Sequence, residues 1–195
     1  MQKERYSFII LAAGKGTRMK SRRPKVLHEV AGEPIISHII STIFSIKKRI
    51  DLDKVVVVLG NESKEIELFI KDNFDGIDIV IQKEQLGTAD AVISTKKIFK
   101  NYKGKIIVLC GDTPLISINL LLDLIKLSNN YKIGLSGFKA KNPFGYGRVI
   151  LNKFIKVKAI VEESDASSFE KKIDLCNSGM YAINGKLLFS LLSKV

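Results

Sequence analysis

The sequence lacks the features of several protein classes. Its 195 residues contain no apolar run of the roughly 20 residues that a membrane-spanning helix needs. No apolar signal segment follows the charges of the N-terminus. Cysteine is scarce: Cys110 and Cys176 are far apart and lack metal-ligand spacing, so we expect buried, reduced thiols and no disulfide. These absences predict a cytoplasmic protein with no membrane partner.

The chain also lacks the pattern of a nucleic-acid binder, although its net charge is +12. Its lysines are scattered, often beside acidic residues, and no basic stripe is interleaved with aromatic residues. We therefore expect no nucleic-acid partner, and an electric field that attracts small anions such as phosphates. A hydrophobic content of 46% excludes a disordered chain, and the length is most simply that of one domain.

Strand and helix patterns alternate through the first two thirds of the chain. The spacing of Ile36, Ile39, Ile40 and Ile43 predicts a helix over residues 34–46, and the β-branched run 55–59 predicts a strand buried on both faces. Such alternation predicts an α/β fold, a Rossmann-like, mostly parallel sheet with helices on both faces. The other predicted strands are 6–11, 77–81 and 105–110, and the other predicted helices are 62–70, 88–98 and 118–127.

The pattern changes after residue 132. Strand-like runs at 133–138, 148–151, 157–161 and 176–183 follow one another without long intervening helices. They predict a mixed-strand C-terminal part, followed by a helix over 186–194. In parallel sheets the ligand binds beyond the carboxyl ends of the strands. The loops 12–25, 82–88 and 111–114 should therefore converge on one site.

The first of these loops, L-A-A-G-K-G-T-R-M-K-S-R-R-P-K, has the composition of a phosphate-binding loop. Small residues let the main chain approach an anion closely, and Arg18 and Lys25 supply positive charge. The dinucleotide fingerprint is excluded because Met19 stands where its third glycine belongs. The Walker loop is excluded because Gly16 separates Lys15 from Thr17. The alternative is a surface turn rich in glycine and lysine.

The other two loops carry groups suited to a nucleotide. In Q-K-E-Q-L-G-T-A-D-A, Gly87 and Thr88 start a helix with free N–H groups, and the amide of Gln82 can both donate and accept, as the edge of a base requires. In C-G-D-T-P-L, Asp112 is a hard oxygen ligand suited to Mg²⁺ on substrate phosphates. The alternatives are an ordinary helix cap and an ordinary turn.

Several motifs together resemble a known family. L-A-A-G-x-G-T-R-M followed by P-K resembles the signature of sugar-phosphate nucleotidyltransferases. The continuation P-K-V-L-H, with Q-x-E-Q-L-G-T, G-D-T-P-L, F-G-Y-G-R, I-V-E-E-S-D-A and N-S-G-M-Y in the same order, resembles the uridyltransferase domain of the bacterial bifunctional N-acetylglucosamine-1-phosphate uridyltransferases. The resemblance covers essentially the whole chain and implies a fold of the nucleotide-diphospho-sugar transferase type.

The resemblance implies an enzyme that makes UDP-N-acetylglucosamine and pyrophosphate from UTP and N-acetylglucosamine 1-phosphate, for cell-wall (peptidoglycan) precursor synthesis. Its implied cofactor is Mg²⁺, held by Asp112. The implied catalytic residues are Arg18 and Lys25, and the implied sugar-binding residues are Gly147, Glu162 and Asn177. The implied nucleotide-binding residues are Leu11, Ala12, Ala13, Gly14, Gly16, Gln82, Gly87 and Thr88.

The chain departs from the family in two respects. Cys110 stands where the family usually has an aromatic residue, so we expect altered packing near the ribose. The family's domain continues past the position of Val195, through an asparagine that also binds Mg²⁺, into a trimer-forming β-helix acetyltransferase domain. We therefore expect residues 1–195 to be a C-terminally incomplete nucleotidyltransferase domain without the acetyltransferase, a monomer with weakened or lost activity. The alternatives are a related sugar-phosphate nucleotidyltransferase and an inactive nucleotide-binding module.

Overall fold

The computed structural model describes residues 4–14, 16 and 19–194. The chain divides into two compact units, the first formed by the chain up to Gly134 together with the chain from Tyr181 onward, and the second by Leu135–Met180. The helices are α1 (Ile35–Ser45), α2 (Lys64–Asn73), α3 (Thr88–Ser94), α4 (Ile118–Asn130) and α5 (Gly185–Leu192). The strands are β1 (Arg5–Ala12), β2 (Glu29–Val30), β3 (Glu33–Pro34), β4 (Asp51–Gly60), β5 (Ile77–Gln82), β6 (Lys105–Cys110), β7 (Ile133–Lys139), β8 (Arg148–Leu151), β9 (Val157–Val161) and β10 (Leu175–Asn184).

The first unit is built on four parallel strands in the order β5-β4-β1-β6. The final residues of β10, Tyr181 to Asn184, pair with β6 in the antiparallel direction. Residues Val55 to Leu59 of β4 are at most 1% exposed, as their continuous apolar run predicts for a central strand covered on both faces. The parallel arrangement brings the carboxyl ends of β1, β5 and β6 to the same edge of the sheet.

Apolar layers cover both faces of these strands. On one face Ile9, Val56 and Val108 pack in a cluster with residues of α3 and α5. Because side chains alternate along a strand, Phe8 and Ile10, which are fully buried, belong to the opposite face. Helices α1 and α4 pack against each other there, and the isoleucine stripe of α1 is fully buried. Among the described residues, no helix combines the length and the apolar character needed to cross a bilayer.

The second unit consists of short strands. Strand β8 pairs with β9 in the antiparallel direction over Arg148 to Leu151, and Arg148 also stands opposite Cys176 of β10. The hydroxyl of Ser178 donates to the carbonyl of Ser136, which joins β10 to β7. This unit is the mixed-strand part that the sequence predicts after residue 132.

Most predicted elements are found within a few residues of their expected bounds, but one predicted helix is shorter and one hairpin is not predicted. The helix predicted over 88–98 ends at Ser94 and gives way to a 3-10 turn, Thr95–Lys97. The hydroxyls of Ser94 and Thr95 donate to the carbonyls of Ala91 and Val92, at 2.6 and 2.7 Å, and such bonds compete with helix continuation. The hairpin of β2 and β3 is not anticipated, because each strand has only two residues.

Candidate functional site

The first loop leaves β1 with little side-chain bulk. Among the described residues, no atom would lie within 4 Å of a Cβ at Gly14, and Gly14 itself is exposed, so a ligand can reach its backbone past these residues. Gly16 has a φ of 60°, and a Cβ there would lie 2.8 Å from the Cβ of Lys25. The loop therefore passes close over Lys25 only because residue 16 is glycine. Arg18, the other predicted catalytic residue, lies outside the described residues.

The third loop packs directly on the first. The N–H of Gly111 donates to the carbonyl of Leu11 at 2.8 Å. A Cβ at Gly111 would lie 2.7 Å from that carbonyl oxygen and 3.0 Å from the Cβ of Ala12. Glycine at position 111 thus allows the chain to carry Asp112 alongside the first loop.

Lys25 and Asp112 form an ion pair, with 2.5 Å between Nζ and Oδ2. Lys25 begins the 3-10 turn Lys25–Leu27, whose other two residues are buried and anchor it. The side chains of the pair remain 35% and 41% exposed. An exposed pair contributes little to stability, about 0 to 1 kcal/mol. The pair therefore presents one cation and one carboxylate that a phosphate or a metal ion can reach.

The second loop is joined to the first by Gln85, whose amide nitrogen donates to the carbonyl of Ala13 at 2.6 Å. Gly60, at the end of β4, leaves the space for this bond, since a Cβ there would lie 2.7 Å from the amide nitrogen of Gln85. Gln85 lies inside the motif Q-x-E-Q-L-G-T, but neither Gln85 nor Gly60 is among the residues that the sequence predicts for the site. The signal that marks both is their place at the carboxyl ends of parallel strands.

Gln82 lies beneath the second loop and is 3% exposed. Its amide nitrogen donates to the carbonyl of Gly87 at 3.1 Å and to the carboxylate of Asp90 at 2.7 Å. Gly87 has a φ of 111°, a region that favours glycine, and α3 begins at the next residue, Thr88. Gln82 thus shapes the turn that presents Gly87 and Thr88. A contact between Gln82 and a base stays a prediction.

These contacts confirm that the three loops converge, as the sequence predicts. They bring Leu11, Ala12, Ala13, Gly16, Lys25 and Asp112 together in the first unit, with the second loop held to the first by Gln85. Cys176 is buried, and Cys110 is partly buried. Burial raises the pKa of Cys110 to about 11, and the charge of Asp112 adds to this while Lys25 opposes it. The Cys110 thiol is therefore protonated near neutral pH and is a poor nucleophile.

The three predicted sugar-binding residues lie together in the second unit. The N–H of Asn177 donates to the carbonyl of Gly147 at 2.8 Å. A Cβ at Gly147 would lie 2.9 Å from the Oε1 of Glu162. The strand register explains this proximity, since Arg148 stands opposite both Val161 and Cys176, and each predicted residue is one position away. We call Gly147, Glu162 and Asn177 the sugar row.

Beside the sugar row lies a residue that the sequence analysis misses, Arg148. Its side chain is 1% exposed and forms an ion pair with Glu163 at 2.7 Å. The hydrogen bond from Arg148, with a second from the N–H of Gly145, lowers the pKa of the Glu163 carboxyl. The available signal was the arginine of F-G-Y-G-R, which follows Gly147 directly.

Comparison with known proteins identifies the family. The family described as the MobA-like NTP transferase domain matches residues 8–161. The chain belongs to this family. Among curated relatives, the bifunctional protein GlmU of Buchnera aphidicola subsp. Schizaphis graminum is 44% identical over 195 residues, which cover 100% of this chain and 41% of the relative. GlmU of Bartonella quintana (strain Toulouse) is 43% identical over 191 residues, covering 96% of this chain and 41% of that protein.

These matches confirm the resemblance of the motifs to the bacterial bifunctional uridyltransferases. The chain spans about two fifths of the length of these curated relatives, 41% for both proteins named. Among solved structures, a UDP-glucose pyrophosphorylase complexed with UDP-glucose superposes with a TM-score of 0.75 at 16% identity, covering 97% of this chain and 80% of that one. The 4-diphosphocytidyl-2C-methyl-D-erythritol synthase of Anaerococcus prevotii DSM 20548 gives 0.69 at 19% identity, covering 98% and 76%. This likeness confirms the predicted fold of this NTP transferase chain.

The described residues of this NTP transferase offer Mg²⁺ few protein ligands. Within the described ranges, no group of three or more His, Cys, Asp or Glu side chains could enclose a metal ion. Mg²⁺ in nucleotide enzymes is commonly held by one or two carboxylates together with substrate phosphates and water. Asp112, exposed and at the converging loops, suits the role of such a single protein ligand.

Proposed function

We propose that this chain is a sugar nucleotidyltransferase that makes UDP-N-acetylglucosamine and pyrophosphate from UTP and N-acetylglucosamine 1-phosphate. The observation that carries the proposal is the convergence of three loops, two of which bring Lys25 and Asp112 together in an ion pair while the remaining one is hydrogen-bonded to Ala13. The identity of 38–44% to GlmU proteins supports the same reaction. The product would serve cell-wall precursor synthesis.

The nucleotide is assigned to the converging loops of the first unit. The backbone from Leu11 to Gly14, with Gly16, would face the phosphates and nucleoside, because none of the described side chains blocks the approach at Gly14. Gly87 and Thr88 would contact the base and ribose, and Gln82, which fixes their turn, completes the assigned set. Lys25 would bind the phosphates, since its side chain is 35% exposed and carries a compact positive charge.

The sugar phosphate is assigned to the sugar row. A carboxylate accepts hydrogen bonds from sugar hydroxyls, and the amide of Asn177 can donate to and accept from the acetamido group. Glu162 and Asn177 flank Gly147, which is itself buried and, having no side chain, leaves room for the carboxylate of Glu162. A small number of precisely placed polar groups is what fixes the orientation of a ligand in a binding site.

The reaction would be an in-line displacement at phosphorus. A phosphate oxygen of the sugar phosphate attacks the α-phosphorus of UTP, one P–O bond forms, and the bond to pyrophosphate breaks. No covalent intermediate on the protein is needed, in keeping with the protonated Cys110. Arg18 would stabilise charge on the leaving pyrophosphate, and Lys25 would hold the reacting phosphates in line. Asp112 would hold Mg²⁺, which when bound supplies charge neutralisation for the phosphates.

The test is pyrophosphate release from UTP and N-acetylglucosamine 1-phosphate with Mg²⁺. We expect release with this pair and little with CTP, dTTP or glucose 1-phosphate. Asp112→Asn should lower the rate at least about a hundredfold, on the scale of losing one preorganised electrostatic group. Asp123→Asn, the same substitution at an exposed carboxylate of α4, should leave the rate unchanged. If no pyrophosphate is released although UTP still binds, the chain is a nucleotide-binding module and the enzymatic proposal is refuted.

A further inference from the structure

We propose that Arg148 is a positioning residue that holds the sugar row in the arrangement that binds the amino-sugar phosphate. The inference rests on the proposed function for the identity of the ligand. Arg148 itself is buried and does not belong to the row. It acts through the residues beside it.

The strand pairing in the second unit places Arg148 beside all three members of the sugar row. On β8 it follows Gly147 directly. Across the strands it stands opposite Val161, which precedes Glu162, and opposite Cys176, which precedes Asn177. A displacement of residue 148 is therefore transmitted to Gly147 through one peptide unit, and to Glu162 and Asn177 through a strand pairing followed by one peptide unit.

The side chain of Arg148 joins the segments that carry two of these residues. Its guanidinium donates to Glu163, at 2.7 Å, and to the carbonyl of Tyr146. Glu163 also accepts from the N–H of Gly145, at 3.1 Å. One ion pair thus connects the turn before Gly147 with the residue after Glu162. A longer bond from the guanidinium, 3.4 Å, reaches the carbonyl of Lys171.

Stability alone does not account for an arginine at this position. The Nε of Arg148 is buried and has no hydrogen-bond partner among the described residues. An unpaired buried donor is unfavourable, and buried ion pairs are often no more stable than apolar residues of similar size. The planar guanidinium does, however, fix several acceptors at once, which suits a residue that sets the geometry of its neighbours.

Direct binding measurements test the role. We expect Arg148→Met to weaken binding of N-acetylglucosamine 1-phosphate about tenfold or more while UTP affinity stays within about twofold, because misplaced binding groups lose their alignment with the ligand. Arg148→Lys keeps the positive charge but not the planar guanidinium, and it should give an intermediate loss of affinity for the sugar phosphate. Glu163→Gln should give a similar loss. The matched control is Lys171→Met, which removes the other cation near Glu163, 4.0 Å away and 46% exposed. It should change neither affinity.

Amide hydrogen exchange on the same variants separates the two proposals. In Arg148→Met we expect faster exchange at Asn177, whose N–H bonds to Gly147, and unchanged exchange at Asn152, whose N–H bonds to Lys156. Equal losses of sugar-phosphate and UTP affinity, or unchanged exchange at Asn177, would overturn the positioning role. If the unaltered protein fails to bind the sugar phosphate, the proposed function fails. The exchange result then still decides whether Arg148 holds the row.

Discussion

At the scale of single residues, two glycines of the converging loops differ in what surrounds them. No atom of the residues that the structure describes lies within 4 Å of where a Cβ of Gly14 would stand. Gly111 is in close contact with the carbonyl of Leu11, and a Cβ there would lie 2.7 Å from that oxygen. The first glycine therefore leaves room for something outside the chain. The second leaves room for another loop of the same chain.

This contrast predicts opposite effects of the same substitution. Gly111→Ala should lower the free energy of unfolding by about 1 to 3 kcal/mol, as overpacking does, because backbone must move. Gly14→Ala should leave that free energy within about 0.5 kcal/mol and weaken UTP binding about tenfold, because its methyl group occupies the ligand's path. Urea unfolding and calorimetric titration with UTP measure the two quantities. Equal effects of the two variants on both quantities would contradict the distinction.

At the scale of elements, the site depends on how the loops are joined at the carboxyl edge of the sheet. Gln85 of the second loop donates to Ala13 of the first, and Asn61 donates to Lys83 at 2.6 Å within the neighbouring turns. Both are amide-to-carbonyl bonds of an exposed side chain. Only the bond of Gln85 involves the proposed phosphate loop.

We expect Gln85→Ala to weaken UTP binding about fivefold, the equivalent of one neutral hydrogen bond of about 1 kcal/mol. Gln85→Glu should weaken it further, because a carboxylate oxygen would face the carbonyl of Ala13. Asn61→Ala serves as the control, since it removes the same type of bond without touching the first loop. A loss of UTP affinity with Asn61→Ala as large as that with Gln85→Ala would argue against a specific role for the bond.

Much of this element-level arrangement could be predicted from the sequence. Apolar runs and helical spacing locate β1, β4, β6 and α1, and parallel topology then brings their loops together. The joining residues could not be predicted in the same way. Gln85 and Gly60 meet only because β4 and β5 are neighbours in register, with Gly60 opposite Gln82. The role of Arg148 likewise depends on the pairing of β8 with β9 and β10, which periodicity does not give.

At the scale of the whole molecule, the first unit contains a buried tyrosine whose hydroxyl and ring are both in contact with the surrounding chain. Tyr102 is 7% exposed, packs edge-on against Phe99 at 5.3 Å between ring centroids, and accepts a hydrogen bond from Ser7 at 2.8 Å. A Cβ at Gly104 or Gly185 would clash with it, at 2.5 and 2.7 Å. Burial raises the pKa of Tyr102 from 10.0 to about 12, against the opposing effect of the bond from Ser7.

The raised pKa predicts a loss of stability in alkali. Well below pH 10, Tyr102 is protonated in both the folded and the unfolded protein, and its contribution to the free energy of unfolding does not change with pH. Between pH 10 and 12 the unfolded chain releases the proton first, so the free energy of unfolding should fall by about 2 kcal/mol over this range. Cys110, whose pKa is raised from 9.0 to about 11, adds its own decrease beginning near pH 9. The contribution of Tyr102 is therefore obtained as a difference between variants.

Tyr102→Phe should be less stable at neutral pH by about 1 kcal/mol, because the buried hydroxyl of Ser7 loses its partner. Its unfolding free energy should then decline less steeply than that of the unaltered protein between pH 10 and 12, so the two curves approach each other. Tyr131→Phe, at a tyrosine that is 60% exposed, is the matched control. Urea unfolding in steps of pH measures the curves. Parallel curves over this range would mean that the burial of Tyr102 does not govern the alkaline stability of the fold.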